Sequence, residues 1–290
     1  MEEITRGYVE TKHCQLHYYQ SGNGQPIILL HPTPNSQFFL KTIPFLSDSY
    51  QVFSVDTPGY GNSTRPKVPF SSLEEYANEI VSFIKIKKLK SVILLGHMTG
   101  AVTALEAAIQ AKKQISTLIL GELIDWSLTT EPHSHHDNKF INPQDDGSHL
   151  LTIWNKYKDM IGILDIKDIQ SRFLTEFLAE YGADMYPIND FEMQESHKKH
   201  NWQDSTPKTM FNYDVSSNLK KLDIPTLLMC GNASRLRSGA SPYEEQQGLL
   251  KLLPNGHAAI LKDHTHAAPL INPELYAFSI LSFLNNLKQS

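Results

Sequence analysis

Short apolar runs rich in branched residues recur along the chain, separated by stretches whose apolar positions return every three or four residues. The runs are "PIILL" (26–30), "QVFSVD" (51–56), "SVILLG" (91–96), "STLILGEL" (116–123), "PTLLMCG" (225–231) and "AAILK" (258–262). Continuous apolar runs of this length are expected of strands buried on both faces. Residues 6–20 alternate weakly and precede "SGNG", which predicts a hairpin at a sheet edge. Helical patterns fall at about 36–47, 72–88, 99–112, 241–252 and 273–287. Within 99–112, Ala101, Ala104, Leu105 and Ala108 follow the spacing of one helical face. Strands alternating with helices predict an α/β fold: a mostly parallel central sheet with helices on both faces.

One region breaks the alternation. From about 125 to 220 the chain turns polar and aromatic and carries no strand signal. "EPHSHHDNKFINPQDDGSH" (131–149) reads as loop, while 149–164 and 166–181 read as helices. The expected division is a core of residues 1–124 and 221–290 with a helical cap inserted at 125–220. Insertions at the carboxyl ends of strands are where α/β proteins place lids over their binding crevices.

Composition narrows the function classes. The chain has 290 residues, 40% hydrophobic and 20% charged, as in an ordinary globular protein. A formal net charge of −5 argues against a nucleic-acid partner. No apolar run approaches the roughly 20 residues of a membrane helix, and "MEEITRGYVE" has no apolar leader region. The two cysteines, Cys14 and Cys230, have no metal-like spacing, so a reducing, cytoplasmic setting without cofactor is expected. His133, His136 and Asp137 in "HSHHD" lack helical periodicity and a second ligand cluster, and read as a polar loop rather than a metal site.

Four motifs carry chemistry. "LLHPTPNSQ" (29–37) follows the first core run, and "VDTPGYGNSTRP" (55–66) follows the second. "GHMTG" (96–100) joins a strand to a helix, and "DHTHAAPLINPELYAFSILSFL" (263–284) leads into the last helix. Their order resembles the α/β-hydrolase fold over nearly the whole chain outside the insert. In that family, G-x-S-x-G is a strained strand-to-helix turn that projects a nucleophilic serine into the site. Here the central residue is Met98. A thioether has no acidic proton and cannot form an acyl-enzyme by the usual route.

The resemblance implies further roles. The loop after "PIILL" supplies one oxyanion-hole N–H. Pro32 replaces the usual glycine, but the donor is the next residue, Thr33. The second donor is the N–H of Thr99. His266 falls on the catalytic histidine, with His264 as runner-up. No carboxylate follows "PTLLMCG", where the family's acid usually lies and where Ser234 stands. Some members, haloalkane dehalogenases among them, keep the acid after the preceding strand, which implies Glu122, with Asp125 second. The loop at 55–66 is read as structural. Met98 either fills a closed pocket or shapes the floor of a working site. His31, His97 and Trp154 are further pocket candidates, His97 being usually a packing residue in this family.

Two functions follow as expectations. The first is an enzyme acting on a small carbonyl or ester substrate with a histidine base and a backbone oxyanion hole, by lyase, cyclase or water-activating chemistry. The second is an inactive hydrolase homologue that binds a small molecule. A third, weaker reading takes the nucleophile from Ser36 or Ser234.

Overall fold

The computed structural model describes residues 3–32, 36–126, 144–148, 151, 209–234 and 241–289. Eight strands form one sheet: β1 (Thr5–Glu10), β2 (Gln15–Ser21), β3 (Pro26–Leu30), β4 (Gln51–Val55), β5 (Val92–His97), β6 (Ile115–Gly121), β7 (Thr226–Gly231) and β8 (Gly256–Leu261). Their order across the sheet is β1-β2-β4-β3-β5-β6-β7-β8. β1 pairs antiparallel with β2, and β2 antiparallel with β4. From β4 to β8 every pairing is parallel. Each apolar run of the sequence is thus a strand, and the weakly alternating segment is the expected edge hairpin. The molecule has the α/β-hydrolase fold.

The helices among the described residues are α1 (Ile43–Ser47), α2 (Leu73–Ile86), α3 (Thr99–Gln110), α4 (Val215–Leu219), α5 (Pro242–Leu250), α6 (Ala268–Ile271) and α7 (Pro273–Gln289). The helix expected over 36–47 is instead a 3₁₀ turn at Ser36–Phe39 followed by α1, which carries Pro44 in its first turn. Proline is tolerated there because its missing N–H would have had no intrahelical partner.

Strand pleating sends successive side chains to opposite faces, and this divides the core in two. Ile28, Leu30, Phe53, Val55 and Leu94 pack with α2, α3 and α4 on one face. Ile27, Leu29, Val52, Ile93 and Leu95 pack with α1 and α7 on the other. Residues on either side of the undescribed 127–143 and 152–208 stretches join the first cluster: Ile124, Trp126, Met210, Phe211, Tyr213, Val215 and Leu219 are all buried in it. The predicted helices at 149–164 and 166–181 lie outside the described residues, Leu151 apart, as do Trp154 and the "HSHHD" loop. Among the described residues, no helix is long and apolar enough to cross a membrane.

The topology marks where a ligand would bind. The chain runs from β3 outward to β4, then returns to β5 on the other side and continues through β6, β7 and β8. Such a switch point leaves a crevice at the carboxyl ends of the two flanking strands. Those ends carry His31 and Met98.

Candidate active site

β5 ends at His97, the chain turns at Met98, and α3 starts at Thr99. Met98 has φ 51° and ψ −114°. A bulky side chain at positive φ is strained, and strain of this kind persists only where the surroundings enforce it. The Met98 N–H donates to the Gly121 carbonyl at 2.8 Å. The flanking glycines permit close approach. A Cβ at Gly96 would lie 2.0 Å from the Gly100 oxygen, and one at Gly100 would lie 2.1 Å from the Leu30 oxygen. The spacing in "GHMTG" thus lets α3 sit directly on the end of β3. Met98 and Thr99 are half-buried.

The first loop is held by a neutral histidine. His31 Nδ1–H donates to the Pro32 carbonyl at 2.8 Å, and Nε2 accepts from the Thr57 N–H at 3.0 Å. Burial lowers the His31 pKa, only partly opposed by Asp56. His31 is therefore a fastener between two loops rather than a group facing substrate. Thr33, the residue implied as an oxyanion donor, lies outside the described residues.

Asp56 organises the ground behind this loop. Its Oδ2 accepts from the His17 ring at 2.8 Å and the Asn62 N–H at 2.9 Å, and its Oδ1 accepts from the Ser36 N–H at 2.7 Å. Burial works against its ionisation, but the His17 hydrogen bond, the His31 ring and those two N–H groups hold its pKa below the ordinary value. The sequence marked 55–66 as structural, but nothing in it pointed to His17, since hydrophobic alternation says nothing of cross-strand polar partners.

The two histidines of the last loop differ. His264 Nδ1–H donates to the Lys262 carbonyl at 2.7 Å, while Nε2 lies 3.1 Å from Asn272 Nδ2, which donates to it. Both ring nitrogens are engaged within the loop itself. The His266 carbonyl oxygen accepts from His97 Nε2–H at 2.9 Å, and His97 Nδ1 meets the Tyr276 hydroxyl at 3.1 Å. Burial, reinforced by His266, pushes the His97 pKa down to about 3. His97 thus ties the turn to the histidine loop.

Glu122 follows β6 with φ 55° and is, like Met98, one of five non-glycine residues at positive φ among the described residues. It is buried, and its Oε1 accepts from the Gly231 N–H at 2.8 Å. Burial pushes its pKa up to about 7, against the Gly231 N–H and the Ser234 hydroxyl, which favour the ionised form. Glu122 Oε2 and His266 Nδ1 are both buried and are not hydrogen-bonded to each other. Asp125, the alternative carboxylate, accepts from the Ser216 N–H at 2.8 Å in the first turn of α4. A carboxylate there matches the positive end of a helix. Ser36 and Ser234 are both wholly buried.

The alpha/beta hydrolase fold family matches residues 25–148 of the chain. The uncharacterized hydrolase YugF of Bacillus subtilis (strain 168) is 25% identical over 97% of each chain. Haloalkane dehalogenase 2 of Mycobacterium tuberculosis (strain ATCC 25618 / H37Rv) is 25% identical, over 42% of this chain and 43% of its own. Bifunctional epoxide hydrolase 2 of Sus scrofa is 33% identical, over 34% of this chain and only 19% of its own. Among solved structures, a serine hydrolase involved in carbazole degradation (CarC) superposes with TM-score 0.70 at 21% identity, covering 98% of this chain and 99% of its own. E-2-(acetamidomethylene)succinate hydrolase superposes with TM-score 0.73 at 17% identity, covering 98% of this chain and all of its own. The sheet and the strand-to-helix turn agree with these likenesses in the fold they describe, the α/β-hydrolase fold.

Proposed function

We propose that this protein is an α/β-hydrolase-fold enzyme that acts on a small carbonyl or ester substrate without a nucleophilic side chain. The observation that carries the reading is the strained turn at Met98, kept at φ 51° although its apex residue cannot attack. Loss of the nucleophile with retention of the strain points to a use for the turn other than nucleophilic attack. That use is to hold the Thr99 N–H at the start of α3, beside the switch-point crevice. With the N–H of Thr33 it forms an oxyanion hole for an enolate or alkoxide. In studied enzymes, each such donor is worth about 3–4 kcal/mol.

His266 is the general base in this reading, with Glu122 as its partner. The engagement of both His264 ring nitrogens supports the choice of His266. A positioned base of this kind contributes about 10²–10⁴-fold. The base removes a proton next to the substrate carbonyl, or from a water that attacks it, and the hole receives the developing negative charge on oxygen. Elimination, cyclisation, retro-aldol cleavage and hydrolysis of an activated ester all fit this scheme. No cofactor or metal is required by it, and the setting is cytoplasmic. The attack of an aspartate on substrate, by which haloalkane dehalogenases act, is not open to Met98.

Screening the protein against a metabolite mixture, followed by His266→Ala on any substrate found, tests the reading. A fall in turnover of about 10² or more is expected. Unchanged turnover removes the proposal. That Glu122 Oε2 and His266 Nδ1 are not hydrogen-bonded to each other favours one competitor, an inactive homologue that binds a small molecule in the same crevice. A metabolite that co-purifies and is released chemically unaltered, with no turnover of it, would establish that competitor instead.

A further inference from the structure

We propose that His97 is a positioning residue that fixes the backbone of His266 to the strand-to-helix turn, with its tautomer set by the His266 carbonyl and matched by the Tyr276 hydroxyl. The proposal rests on the reading of His266 as the base. A carbonyl oxygen only accepts, so the 2.9 Å contact with the His266 oxygen requires the proton on His97 Nε2. Nδ1 is then the acceptor, and the Tyr276 O–H must donate to it across 3.1 Å. Tyr276 is suited to this, because burial, reinforced by Glu122, keeps its hydroxyl protonated well above the ordinary range.

Aromatic rings pack around the imidazole. The rings of Phe38, Tyr276 and Phe39 lie 5.2, 5.8 and 6.4 Å from it, centre to centre. A Cβ at Gly121 would come within 2.5 Å of Nδ1, so only glycine leaves room for the ring at that point of β6. His97 and Met98 are adjacent, and the Met98 N–H is itself held by the Gly121 carbonyl. The position of the His266 main chain is therefore referred to the same strand end that sets the Thr99 N–H. Base and oxyanion donor are placed by one rigid unit. An imidazole that stays neutral suits this task, since protonation of Nδ1 would reverse the Tyr276 contact and make the hydroxyl the acceptor.

The test uses the full chain labelled with ¹⁵N in histidine, and the variants His97→Leu, His97→Gln and Tyr276→Phe. The wild-type spectrum is expected to show His97 with its proton on Nε2 and no titration across the neutral range. In His97→Leu, the His266 resonances and titration midpoint shift, and turnover of a substrate from the screen falls roughly 10-fold, within the range that a misplacement of about 1 Å produces. His97→Gln, whose amide N–H reaches the same carbonyl, restores both. Should His97→Leu fail to fold, Tyr276→Phe keeps the ring packing and is expected to shift the His97 Nδ1 resonance, which loses its donor, while the proton stays on Nε2; a proton that moves to Nδ1 in this variant overturns the proposal. A proton on Nδ1 in the wild type, or a folded His97→Leu whose His266 signals are unmoved, overturns the proposal. Failure of the base assignment reads differently: turnover is then indifferent to His266→Ala while the spectroscopic coupling persists.

Discussion

At the scale of single residues, the site is defined by what its groups are prevented from doing. Met98 occupies a strained apex and offers no nucleophile, and the serines nearest by sequence argument, Ser36 and Ser234, are wholly buried. The wild-type protein is therefore expected to be inert to a fluorophosphonate probe. Met98→Ser is expected to gain labelling and esterase activity, read in gel and with an activated ester; labelling of the wild type would reverse this picture. Glu122 makes a second prediction. Its folded pKa of about 7 stands above the ordinary 4.5. The folded state therefore holds more protons than the unfolded state between those two values, and stability falls as pH rises through that window. The shift corresponds to a penalty on the order of 3 kcal/mol, reached in full above pH 7. Glu122→Gln should flatten this part of the Tm-against-pH curve. His97 acts in the opposite sense, because its pKa is depressed to about 3 and stability is lost as pH falls from 6.5 toward that value.

At the scale of elements, close backbone approach and one carboxylate decide the geometry. Gly100→Ala would place a methyl group 2.1 Å from the Leu30 oxygen. We expect it to cost about 3 kcal/mol or more and to lower Tm by roughly 5–10 °C, as α3 is pushed off β3. Gly248→Ala is the control: it lies within α5, and its added Cβ meets nothing within 4 Å. There, a gain of about 0.5–1 kcal/mol is expected from helix preference alone. Asp56→Ala removes the acceptor that joins β2, the loop after β3 and the loop after β4. A cost of about 3–5 kcal/mol is expected, measured by urea unfolding. Because the Asp56 pKa is depressed, the wild type should lose this contribution as pH falls through it, and the variant should not. The elements themselves were legible in sequence, since apolar runs and helical spacing are local signals. The break at 40–42 between the 3₁₀ turn and α1 was not, because a continuous apolar pattern hides where the backbone changes hydrogen-bonding step.

At the scale of the whole molecule, the sheet separates two cores. Leu105 is fully buried on the α3 side and Ile280 on the α7 side. Leu105→Ala is expected to cost about 2–5 kcal/mol and Ile280→Val about 0.5–1.5 kcal/mol. With the sheet between them, the two costs should add to within about 0.5 kcal/mol in the double variant. A larger coupling would mean that strain passes through the strands.

The sequence by itself determined the class of architecture, the glycine turn with Met98 at its centre and the loop that holds His266. These follow from periodicity, from glycine spacing and from residue identity, all of which are local. Tertiary structure decided that both ring nitrogens of His264 are engaged within its own loop and that Asp125 serves a helix start. It also gave His97 its partners, from residues 169 and 179 positions away in the chain. A hydrogen bond is selected by where the strands bring two groups after packing, and nothing in the order of the residues carries that distance.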